Sequence, residues 1–224
     1  MNRFYSLSSC FALLVLLHGC HVGVGNNVTG SGKRISEKRQ LESFSAIDAT
    51  GAFSIEATTQ KPVSFEIEAD DNILPLIRTE VRNGVLYLKA EKGFNSKEGV
   101  VVRLTVPDLT KIDATGASKF HVQGVKNDHF EVHTTGASSV VASGVTKDIE
   151  IRATGAGEID THSLRAATAT VRSTGAAKVD VYASEQLDAN ASGAGEIVYS
   201  GDPKVVNKHT SGAASVNKRE SSGI

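Results

Sequence analysis

Cysteine is nearly missing from this chain of 224 residues, and the two it has cannot staple a fold. Cys10 lies inside an N-terminal segment that reads as a removable leader, which leaves Cys20 without a partner for an internal disulfide even in an oxidising compartment. Tryptophan is absent, aromatic residues make up 5% and proline occurs four times, while glycine occurs 21 times. Large aromatic clusters are thereby excluded, and a fold of many short strands joined by tight turns is favoured. The formal net charge is -1, so there is no surplus of positive charge with which to hold nucleic acid. Hydrophobic residues, at 40%, suffice for one domain with a core.

Long apolar runs are also lacking. The stretch Phe11-Ala-Leu-Leu-Val-Leu-Leu17 is too short to span a bilayer; with Arg3 before it and His18-Gly19-Cys20 after it, it has the layout of a secretory signal. Leu17-His18-Gly19-Cys20 resembles the bacterial lipobox, in which a small residue precedes a cysteine that is diacylated and becomes the mature N-terminus, although His18 departs from the small or hydroxylated residue usual there. Residues 1–19 are therefore expected to be a lipoprotein signal peptide and Cys20 the lipidation site, two or three acyl chains anchoring firmly where one would be marginal. His21 is not the aspartate that commonly signals inner-membrane retention, which points to the outer membrane, periplasmic or surface-facing. Residues 20–38, polar and glycine-rich without periodicity, are expected to be the lipidated cysteine and a flexible tether. Gly30-Ser31-Gly32-Lys33 fails as a phosphate loop, because Asn27 stands where the first glycine is due and Arg34 where Ser or Thr would bind the metal.

Beyond the tether the chain repeats itself. A Thr/Ser-Gly-Ala motif recurs around Gly116, Gly136, Gly155, Gly175, Gly193 and Gly212, at spacings of 20, 19, 20, 18 and 19 residues, with an earlier copy at Gly51. Self-similarity at this period predicts a solenoid whose coils bury their faces only against one another. Four residues after the glycine stand Ile55, Phe120, Val140, Ile159, Val179, Ile197 and Val216; four before it stand Ile47, Ile112, Val132, Ile151, Val171 and Ala189. Apolar and polar residues alternate on both flanks, so each coil reads as strand, tight turn, strand and looser return. The fold class expected is all-β, a parallel β-helix or β-roll with 19–20 residues per coil. Units of 18 to 20 residues exclude the hexapeptide-repeat acyltransferases. The glycines are expected to be structural turn residues, selected by positive φ or by close packing of coil on coil.

Outward columns hold the candidate chemistry. Three residues after the glycine, Glu158, Lys178 and Glu196 alternate in sign, which predicts mutually supporting charges instead of a catalytic acid pair. Three before it stand Asp113, His133, Arg152, Arg172, Asn190 and His209; five before it stand Lys111, Glu131, Glu150, Thr170, Asp188 and Asn207. Arg152 and Arg172, on adjacent rungs beside Glu131 and Glu150, form either a solvated charge network or a surface for an anionic ligand. Asp70-Asp71-Asn72 lacks the spaced oxygens of a calcium loop and is expected to cap a turn, and His129 with His133 makes no dedicated metal site on a strand. No catalytic residue, metal or cofactor is assigned. In the last copy Lys208 and Lys218 take places that are apolar or small elsewhere and are expected to point into the open end as a polar cap, which favours a monomer.

The Arg39-Gln-Leu-Glu-Ser-Phe44-Ser-Ala-Ile47 run, Ala69-Asp-Asp-Asn72-Ile-Leu-Pro-Leu-Ile77, Asn83-Gly84-Val-Leu86-Tyr-Leu88, Val106-Pro107-Asp-Leu109-Thr-Lys-Ile112 and the repeated turns, in that order, resemble the head GIN domain family of autotransporter adhesins. The resemblance runs from Arg39 to Asn217, with the head domain taken as 39–224. It implies a right-handed superhelical β-fold of the pectin-lyase kind, a bacterial envelope location and an adhesive role, and it maps no functional residue onto this chain. The function expected is that of a non-catalytic envelope lipoprotein whose solenoid serves adhesion, other binding or scaffolding. Its partners are the membrane, through the lipid, and a protein or glycan ligand. The alternative is a polysaccharide lyase or hydrolase of the same fold.

Overall fold

A computed structural model describes residues 27–219 as stacked parallel β-coils with a single short 3-10 turn, Leu74–Leu76. Cys20 and residues 1–19, expected to be a signal peptide, lie outside the described residues. Among those residues no helix is long and apolar enough to cross a membrane.

The strand leading into each Thr-Gly-Ala corner pairs in register with its counterparts above and below, giving the ladder Ile47, Ile112, Val132, Ile151, Val171, Ala189, Lys208. The strand leaving the corner gives a second ladder, Ile55, Phe120, Val140, Ile159, Val179, Ile197, Val216. Both apolar columns face inward: Ile112, Val132, Ile151, Val140, Ile159 and Val179 are fully buried. Period-two alternation thus sorts each coil into a core wall and a solvent wall. In the coil Lys119–Gly136 the strand bends back through a register shift between Val122 and Val125, so the return corner is a bulge.

The corner glycines are held by the stack itself. At Gly155 φ is +114°, and a Cβ built there would overlap the carbonyl oxygen of Gly136 one coil below. That same oxygen accepts a hydrogen bond from the Ala156 amide at 2.9 Å. Contact of this kind recurs up the column through Gly116, Gly136, Gly175, Gly193 and Gly212, each backed on the glycine carbonyl of the preceding rung. A side chain at this position meets both an unfavourable backbone conformation and a neighbouring backbone.

At the N-terminal end the stacking order departs from the chain order. Ala46–Gly51 lies between Lys111–Gly116 on one side and Val85–Ala90 on the other, and Phe53–Thr58 lies likewise between the coil starting at Lys119 and Val100–Thr105. Two antiparallel strands close this end. Ile77–Arg82 joins Val85–Ala90 through Asn83-Gly84, both at positive φ as a tight hairpin requires, and Ser64–Asp70 lines Val100–Thr105.

Of the tether expected over residues 20–38, the described part, residues 27–38, is paired at two places. Val28–Thr29 pairs with Phe94–Asn95, and Arg34–Lys38 forms an antiparallel edge strand on Ser64–Asp70. Arg34 fixes that strand by donating to the carbonyls of Gly99 (2.5 Å) and Glu68 (3.2 Å) and by pairing with the Glu68 carboxylate. Such a strand, exposed along most of its length, needs backbone partners and no apolar alternation, so its sequence carries no periodic signal.

At the other end, Val205–Gly212 is exposed over its whole length. Lys208 lies across the end of the stack, donating to the Val216 carbonyl at 3.2 Å with its ammonium 4.7 Å from the centre of the Tyr199 ring, while Lys218 pairs with Asp202 at 2.9 Å. Lys208 thus spans the opening as a cap, whereas Lys218 turns to a surface carboxylate and not inward. Replacing Lys208 and Lys218 by Val is expected to produce concentration-dependent association in sedimentation velocity with unchanged β content, because charge on an edge strand opposes strand addition. A double variant as monomeric as the parent would remove the capping role.

Candidate functional site

The outward surface of the wall that leads into the corners carries the charged columns, and the register brings their members together rung by rung. Glu150 Oε1 receives Arg152 Nη2 at 2.6 Å and Arg172 Nη1 at 3.2 Å, so one carboxylate oxygen gathers the two arginines that the sequence singles out. Glu150 is largely covered, while each arginine leaves about half of its side chain in solvent, 54% for Arg152 and 56% for Arg172. Two guanidiniums thus share one carboxylate, and the charge of Arg172 is also felt by Asp188 on the next rung.

Below this pair the network continues through different partners. His129 bonds Glu131 at 3.0 Å, His133 bonds Asp113 at 3.0 Å, and Lys111 bridges Asp113 at 3.2 Å and Glu131 at 3.4 Å. The hydrogen bond from His129, and after it the charge of Lys111, holds the Glu131 carboxyl below its usual range despite partial burial. Burial works against the charge on Lys111, but Asp113 and Glu131 outweigh it and raise its pKa. At the lower end, burial and then the neighbouring Asp113 push the Asp48 carboxyl up. Above the arginines, Asp188 accepts from Asn207 and Gln186, both at 2.6 Å, and is held low by these bonds. Asp113, Glu131, Glu150 and Asp188 are therefore engaged by cations or amides, which is the geometry of a surface network, while Asp48 stands apart as a raised carboxyl beside Asp113.

The alternation Glu158, Lys178, Glu196 is in register on the other wall, but among the described residues no ion pair within 4.0 Å joins the three. All three are exposed, where solvation competes with the pairing. Aromatic platforms are also occupied. Arg165 lies over Tyr182 at 4.3 Å and Arg82 over Tyr87 at 4.6 Å, while Phe120 and Tyr199 are buried in the core. Asp70-Asp71-Asn72 forms the expected turn, with the Ile73 amide donating to the Asp70 carbonyl at 2.9 Å; Asn72 then clamps the N-terminal segment by accepting from the Ser31 amide and donating to the Thr29 carbonyl.

One group was missed by the columns. Asp160 and Asp180 are adjacent rungs five residues after their glycines, and His162 joins them from the return turn. The ladder rule alone pairs the two aspartates, but His162 belongs to no column, so only the folded turn brings it in.

A sequence model of a family described as "Putative auto-transporter adhesin, head GIN domain" matches residues 43–203. No curated protein matches the chain. Among solved structures, a protein from Bacteroides fragilis NCTC 9343 described as a "putative adhesin" is 20% identical, with a TM-score of 0.68 over 86% of this chain and 100% of that one. A "putative adhesin" from Parabacteroides merdae ATCC 43184 is 18% identical, with a TM-score of 0.57 over 87% of this chain and 99% of that one. A "putative lipid binding protein" from Parabacteroides distasonis ATCC 8503 is 20% identical, with a TM-score of 0.53 over 87% and 100%. At these identities the likeness is one of fold.

Proposed function

The chain belongs to the head GIN domain family, and from that premise we propose that it is an outer-membrane lipoprotein, anchored through a diacylated Cys20, whose solenoid is a non-catalytic binding module. Its ligand is an anionic surface or polymer, a protein or a glycan, met by the outward wall. The observation that carries this reading is the pair Arg152 and Arg172, half exposed on the single carboxylate of Glu150.

Binding of the full chain to immobilised anionic polysaccharides and to envelope fractions tests the module. Arg152→Ala with Arg172→Ala should weaken capture by about tenfold, since each charge-assisted hydrogen bond contributes roughly 1.5–3 kcal/mol at most and less where exposed. Release of reducing ends or unsaturated product from those polysaccharides would replace this reading with the enzymatic one. For the anchor, Cys20→Ser is expected to abolish labelling by a fatty-acid probe and to free the protein from membranes; persistent labelling would reject the lipobox. Protease treatment of intact cells then decides the face, because an adhesin must be cut while a periplasmic module is protected.

A further inference from the structure

Away from the arginine wall, on the strands that leave the corners, Asp160, His162 and Asp180 bring one donor atom each to within 4.8 Å of one another. Asp160 and Asp180 are ladder neighbours on adjacent coils, and His162 stands two residues beyond Asp160 where the chain turns toward Leu164. The three are not an ordinary exposed charge cluster. Asp180 is 8% exposed, and its Oδ1 is buried with no hydrogen-bond partner. A buried carboxylate oxygen without a donor is costly and calls for a cation or proton. Its other oxygen, Oδ2, is engaged by Arg219, which leaves Oδ1 as the oxygen available to a further partner.

His162 is held for ligation by the same turn. Its Nε2 lies 3.1 Å from the Ser163 hydroxyl, and its Nδ1 lies 2.5 Å from Asp160 Oδ1. A hydrogen bond to the far nitrogen fixes the ring and leaves the near one directed at the carboxylates, which is how ligating imidazoles are oriented. Without a metal, a proton occupies the place between Nδ1 and Asp160. Zinc has its ligands at about 2.0–2.2 Å, so drawing three donors already within 4.8 Å onto one ion needs only side-chain adjustment. Donor chemistry selects the ion, because an imidazole with two carboxylates suits zinc and its first-row neighbours, whereas calcium takes six or more oxygens.

We propose that Asp160, His162 and Asp180 form a binding site for one divalent ion of the zinc class, with the remaining coordination positions open to solvent or to a ligand atom. A second group, His129, Glu131 and Glu150, also brings one donor atom each to within 4.8 Å of one another. There Glu150 already holds Arg152 and Arg172, and Glu131 holds Lys111, so cations occupy the carboxylates.

The test is calorimetric titration of ZnCl2 into the full chain stripped with EDTA, with CaCl2 in parallel and Co²⁺ absorption as a second readout of ligation. One Zn²⁺ per chain is expected, weakened by about tenfold or more in both Asp160→Asn and His162→Gln, and unchanged in His129→Gln. Asp160 and His162 sit at the surface, so their metal-free variants should melt with the parent, whereas Asp180→Asn disturbs a buried group and is not relied on. Absence of saturable uptake, uptake unchanged in Asp160→Asn and His162→Gln, loss confined to His129→Gln, or calcium binding as tightly as zinc would each overturn the assignment.

Discussion

Gly155→Val should be the most damaging single change in the stack, with an expected loss of about 3–5 kcal/mol, the sum of a strained positive φ and an overlap with backbone that cannot rotate away. The overlapping atom is the Gly136 carbonyl oxygen, which also receives the Ala156 amide, so relief by shifting the coil would lengthen a ladder hydrogen bond. Gly32→Ala supplies the comparison. Gly32 also has positive φ, +78°, but nothing lies within 4 Å of a Cβ there, and its loss should stay near 1 kcal/mol. Urea unfolding of the two variants followed by circular dichroism separates the causes: equal losses would mean that coil-on-coil contact is not what fixes the glycine.

Ile159→Asp is expected to cost about 4 kcal/mol or more, because it places a carboxylate in a fully buried column between Val140 and Val179 with no donor to meet it. The neighbouring Glu158→Gln should cost less than about 1 kcal/mol, since Glu158 is exposed and, among the described residues, joins no ion pair. Adjacent residues with opposite consequences are what period two demands. A large loss at position 158, or a small one at 159, would place the core on the wrong wall.

The sequence disclosed the ladders because each repeat poses the same packing problem: Ile112, Val132, Ile151 and Val171 must fill one wall, and the glycines must clear one carbonyl. It did not disclose how the N-terminal end closes. Arg34–Lys38 is held by backbone pairing and by Arg34, interactions that leave no hydrophobic pattern, and the placement of Val85–Ala90 beneath an earlier strand is a matter of long-range pairing. The charged wall was legible as columns but not as contacts. Long side chains choose among several neighbours, so Glu131 went to Lys111 and His129 while Glu150 took both arginines. Glu158, Lys178 and Glu196 remained apart because exposed charges gain little by meeting. His162 was invisible for the opposite reason: it sits on a return turn, where the repeat is least regular and a column count has no place for it.

The strand Ala46–Gly51 sits between two partners that both come later in the chain, Val85–Ala90 and Lys111–Gly116. In a chain that emerges N-terminus first, this segment lacks both of these partners until the hairpin end and the first downstream coil have followed it. From Ser139 onward each new coil pairs with the one just made. Vectorial folding therefore has a slow, collective start and a fast zipper after it. The same asymmetry bears on where length can change: a coil added or dropped beyond Gly136 leaves neighbours in space that are still neighbours in sequence, whereas a change to the strands between Ala46 and Lys111 alters pairings made across distant parts of the chain.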